Sequence, residues 1–84
     1  MAGPMNPLEK LIAFLERLNT HDLHYTLACV RDAVMVEVFV PGEHWEIEFF
    51  ADSHVEVEIF KSGGTGTDLE DERALERLFT TNES

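Results

Sequence analysis

The chain has 84 residues, 44 % of them hydrophobic and 27 % charged, and seventeen Asp and Glu against six Lys and Arg leave a formal net charge of -11. That length holds one small core, with no room for a second domain or a deep catalytic cleft. A surface of that sign repels phosphate backbones and anionic lipid and speeds encounter with basic proteins, so no nucleic-acid or membrane partner is expected.

The composition is that of a folded domain, with apolar residues in periodic blocks. Cys29 is the one cysteine, so neither an intramolecular disulfide nor a cysteine-based zinc site can form, which fits a reducing cytoplasm. No apolar run approaches the roughly 20 residues of a membrane span. Residues 1–5 lack the charged and apolar regions of a signal peptide. They read as a disordered start or an added leader before a natural Met5-Asn6-Pro7 opening.

A single α+β domain is expected over residues 6–79. Asn6 can cap a helix that begins with Pro7 and carries Glu9 at the capping-box position. Leu8, Leu11, Ile12, Leu15 and Leu18 recur at helical spacing, which predicts a helix over 7–18. Leu23 to Arg31 suits a strand, with Cys29 on the same side as Leu23, Tyr25 and Leu27 and read as core.

Ala33 to Val40 alternates Val34, Val36, Val38 and Val40 against Met35, Glu37 and Phe39. Pro41-Gly42 is a turn, followed by strands His44 to Phe50 and His54 to Phe60, joined by Ala51, Asp52 and Ser53. Ser62 to Gly66 is a connector. Thr67-Asp68-Leu69-Glu70 matches a capping box, predicting a last helix over 68–79 and a polar tail over 80–84. The expected architecture is an N-terminal helix, a four-stranded antiparallel meander and a C-terminal helix, with both helices on one sheet face.

Register follows from the pattern, because a one-residue slip sends every side chain to the wrong face. Pairing Phe49 with Val55, Ile47 with Val57, Trp45 with Ile59 and Val36 with Ile47 gathers the large apolar residues on one side. The same register sets Glu48 opposite Glu56 and Glu46 opposite both Glu58 and Glu37. Directly opposed like charges are unfavourable, up to about 1 kcal/mol a pair. Stability alone does not select such a face.

Met35, Phe39, Phe50 and Phe60 project on the side of the glutamates, with His44 and His54 at opposite ends of the hairpin. Large apolar residues interspersed with charge resemble an interface. The candidate partner-binding residues are therefore Glu37, Phe39, Glu46, Glu48, Phe50, Glu56, Glu58 and Phe60. The competing explanation is that outward glutamates only keep the sheet soluble.

Other chemistry is weaker. His44 or His54 with Glu46 or Glu56 has no specific metal-ligand spacing, so no metal or cofactor is expected. Paired carboxylates on an open face lack the pocket that would separate their pKa values, so no enzyme is expected. The glycine-rich Ser62 to Thr67 segment has no P-loop lysine and leads into acidic residues that repel phosphate.

The layout and the stretch from Trp45 to Phe60 resemble small acidic immunity proteins encoded beside bacterial polymorphic toxins, among them the group named TriTu. The similarity spans residues 8–79 in general organisation and transfers no site residue. It implies a cytoplasmic inhibitor that sequesters a toxin. The leading expectation is thus a noncatalytic acidic protein that engages a basic protein partner, such as a toxin or nuclease, through its Glu- and Phe-bearing sheet face. The alternative is a small structural or regulatory module acting as a homodimer or an assembly subunit, and a divalent-cation binder ranks below both.

Overall fold

The computed structural model describes residues 6–63 and 67–81. Helix α1 spans Pro7–Thr20. It starts as a capping box: the Glu9 amide donates to Asn6 Oδ1 at 2.8 Å, and the Asn6 amide donates to Glu9 Oε1 at 3.1 Å. These bonds satisfy two amides that the first helical turn leaves without partners.

Four strands follow: β1 at His24–Val30, β2 at Ala33–Val40, β3 at Glu43–Phe50 and β4 at Val55–Lys61. Each pairs antiparallel with the next, and β2, β3 and β4 hold the expected register: Val36 faces Ile47, Trp45 faces Ile59 and Ile47 faces Val57. Gly42 in the β2–β3 turn takes φ +81°, a conformation glycine adopts freely and other residues at a cost.

The expected helix over 68–79 forms only in its second half, and its first residues are extended. Thr67–Glu70 is a fifth strand, β5, which extends the sheet to the order β1-β2-β3-β4-β5. It sets Thr67 opposite Phe60 and Glu70 opposite Val57. The capping-box pattern is real locally, but β4 would otherwise offer an open edge of unpaired backbone groups, and pairing them outweighs a local cap. The Thr67 hydroxyl donates to Glu58 Oε2 at 2.9 Å.

The helical part begins after Asp71, whose side chain accepts from the Arg73 amide at the start of a 3-10 turn, Glu72–Ala74. Helix α2 covers Leu75–Thr81, so residues 80 and 81, expected in a polar tail, are helical, and residues 82–84 lie outside the described part. The assignment of residues 1–5, and the connector beyond Gly63, also fall outside it.

Both helices pack on one face of the sheet. Phe14, Leu18, Leu75, Leu78 and Phe79 join Val36, Val38, Trp45, Ile47, Phe49, Val57 and Ile59 in one core. The Phe14 ring meets Phe49 at 5.4 Å and Phe79 at 5.9 Å. Arg17 ties the helices together: its guanidinium lies 3.9 Å over the Phe79 ring and donates to both carboxylate oxygens of Glu76, at 2.8 and 3.3 Å. Lys10 reaches the Ser53 carbonyl at 2.8 Å and Glu72 at 3.2 Å.

Two core assignments need correction. Along α1 the stripe that reaches the sheet is Leu11, Phe14, Leu15 and Leu18, while Leu8 and Ile12 are 63 % and 46 % exposed. On β1, Cys29 is exposed and Leu27 is 53 % exposed. Both face the side expected to be buried, but the helical layer leaves this part of the edge strand uncovered.

Candidate functional site

The face opposite the helices is a grid set by the strand registers. One cross-strand row reads His24, Phe39, His44, Phe60 and Thr67, and the next Thr26, Glu37, Glu46, Glu58 and Leu69. A third reads Ala28, Met35, Glu48 and Glu56. Two acidic rows therefore cross the middle of the sheet. All eight predicted partner-binding residues lie on this face.

Aromatic side chains flank the acidic rows on both sides. Phe39 stacks on His44 with ring centroids 4.9 Å apart, and His44 stacks on Phe60 at 5.4 Å. At the other end Phe50 lies parallel to His54 at 4.2 Å. Phe39 is 41 % exposed, whereas Phe50 and Phe60 are half-buried beneath these stacks. The phenylalanines thus form a rim in which Phe39 offers the most open apolar surface.

The carboxylates differ in their partners. Glu37 accepts from Thr26 Oγ1 at 3.1 Å and meets His44 Nε2 at 3.2 Å, while Glu46 stands 3.9 Å from the same ring nitrogen. Glu56 meets His54 Nε2 at 3.0 Å, and Asp52 holds His54 Nδ1 at 2.8 Å. Glu48 has no hydrogen bond or ion pair among the described residues.

Proton affinities follow these surroundings. Partial burial raises the Glu46 pKa above its ordinary value, His44 works against this, and Glu37, Glu58 and Glu48 add to it. A group so placed gains from any cation that approaches. Bonds to Glu56 and Asp52 raise the His54 pKa, and the backbone and side chain of His54 lower that of Asp52.

Glu46, Glu48, Glu56, Glu58, Met35 and Leu69 line a trough of about 310 Å³ on this face, together with Val30, Arg31 and Val57. Leu69, 79 % exposed, is the member that sequence reasoning missed. Its signal was hidden in the capping-box pattern. The even spacing of Thr67 and Leu69, continuing the outward row of Glu58 and Phe60, is what could have revealed it.

Glu37, His44 and Glu46 each bring one donor atom within 4.8 Å of the others. Two carboxylates and an imidazole are donors a divalent metal can take. The same contacts also fit a histidine serving as internal counter-charge to two opposed glutamates. His54 lies at the far end of the face, so the two histidines do not converge.

No helix among the described residues is long and apolar enough to cross a membrane. No family model matches the chain, and no curated protein or solved structure matches it.

Proposed function

We propose that this chain is a noncatalytic acidic binding protein, an immunity-type inhibitor acting in the cytoplasm, whose outer sheet face engages a basic protein partner. The observation that carries this reading is the pair of opposed carboxylate rows, Glu37-Glu46-Glu58 and Glu48-Glu56. They form a trough that repels itself until a cation neutralises it. Lysine and arginine side chains of a partner fit such a trough, and Phe39, Met35 and Leu69 supply apolar contact beside it. The resemblance to acidic immunity proteins points the same way.

The test uses immobilised wild type, the E46Q/E48Q/E56Q variant and a charge-matched control, E16Q/D32N/E70Q, whose changes lie off this face. Lysate of the source organism is passed over each in low and then high salt, and retained proteins are identified by mass spectrometry. The expected result is one basic protein held by wild type and control, released by salt and lost with the trough variant. Equal retention by the trough variant, with its fold intact by Trp45 fluorescence, excludes this face as the site.

A further inference from the structure

The two edges of the sheet are unlike. β5 is four residues long and carries Asp68 and Glu70, charges that discourage pairing. β1 runs seven residues, His-Tyr-Thr-Leu-Ala-Cys-Val, with no Asp, Glu, Lys, Arg or Pro, in a chain where 27 % of residues are charged. An uncharged edge of that length is a template for another strand.

Its margin on the helix side is apolar. Leu27 and Cys29 are exposed there, and Leu8 and Ile12, one turn apart on α1, are 63 % and 46 % exposed. Leu8, Leu11, Val34 and Cys29 share a groove of about 320 Å³.

The free backbone groups of β1 follow from its hairpin. Two residues, Arg31 and Asp32, join Val30 to Ala33 opposite it. The pair beside a two-residue turn is hydrogen-bonded, and bonded and non-bonded pairs alternate along an antiparallel ladder. Tyr25, Leu27 and Cys29 therefore direct their amides and carbonyls away from β2, and they are spaced symmetrically about Leu27.

We infer that the β1 edge pairs with the β1 edge of a second copy, antiparallel about a two-fold axis at Leu27, to form a ten-stranded sheet. Leu27 then lies opposite Leu27 of the second copy, and Tyr25 opposite Cys29, so every outward-directed residue meets an outward-directed counterpart. Thr26 falls opposite Ala28 and His24 opposite Val30, with no charged residue in the ladder. Beyond each end, the turn carrying Asp22 meets the turn carrying Arg31 and Asp32, placing one guanidinium near two carboxylates.

This self-complementarity selects a second copy over a basic partner, which would find no carboxylate on this edge. Pairing the strand also covers Leu27 and the apolar groove that Leu8 and Cys29 share. An axis perpendicular to the sheet puts both helical layers on one side and both acidic faces on the other. The dimer goes beyond the binding reading and does not depend on it.

The test is light scattering on purified protein from low to high micromolar concentration, in low and high salt, with wild type and L27K. The expected result is a wild-type mass that rises from one copy to two. Salt should strengthen it, because screening weakens repulsion between two bodies of formal charge -11. L27K, altered at a residue already half exposed, should stay monomeric and melt like wild type at the low concentrations where wild type is itself a monomer.

Register is tested by mild oxidation. Facing Leu27 positions in a bonded pair have Cα atoms about 5.5 Å apart, within disulfide range, so L27C/C29S should cross-link and T26C/C29S should not. A monomer at every concentration, a dimer indifferent to L27K, cross-linking at 26 instead of 27, or a dimer broken by F39S each overturns the inference. Failure here is separable from failure of the binding reading, since salt is expected to strengthen this contact and weaken the other.

Discussion

Replacing Glu46 by glutamine should stabilise the protein. Glu46 is opposed by Glu37 on β2 and Glu58 on β4, and its side chain is 28 % exposed, so solvent screens it incompletely. Each cross-strand charge pair is worth roughly 0.2–1 kcal/mol. Removing two repulsions, discounted for partial exposure, leaves a net gain of about 0.5–1 kcal/mol near neutral pH on that scale. In a domain of this size that raises Tm by about 2–8 °C.

The pH dependence has a definite sign. The folded-state pKa of Glu46 lies above its ordinary 4.5, so stability is favoured below that value and lost as pH rises through the folded pKa. The E46Q gain should therefore be full near pH 7.5 and shrink toward zero by about pH 4, where Glu46 is protonated in wild type. It should also fall in about 1 M salt, where the screening length is roughly 3 Å. Urea and thermal unfolding followed by Trp45, 2 % exposed, report all three. A Glu46 variant no more stable than wild type at neutral pH, or a gain that persists unchanged at pH 4, refutes the account of a self-repelling face.

Leu78 is fully buried between the helices and the sheet, so Leu78→Ala should cost about 2–5 kcal/mol, read from the urea midpoint. A loss below about 1 kcal/mol would mean that α2 is not seated on the core. The His54 pKa is raised above 6.5 by Glu56 and Asp52, so H54Q should destabilise most below that pH and fade in effect as pH rises through the folded value. Asp52 is held below 3.8 by His54. D52N should therefore cost stability above that pH, with the cost vanishing as pH falls through the depressed value; thermal melts across pH, with an NMR titration of the His54 ring, check both.

Residue order alone determined the α1 cap, the register of β2, β3 and β4, and the gathering of five glutamates on one face. Those features are set by short-range rules: a capping box spans three residues, and a period of two forces Val36, Ile47 and Val57 to agree on a side. Tertiary structure decided the rest. Thr67–Glu70 could cap a helix or extend a sheet, and the open edge of β4, distant in sequence from any helical signal, settled it. It likewise decided which apolar residues are covered. Leu8, Ile12, Leu27 and Cys29 have the periodicity of core residues, but periodicity identifies a face without showing how far the opposing layer reaches. The stacking of His44 between Phe39 and Phe60 arises in the same way, from three strands that meet only when the sheet has formed.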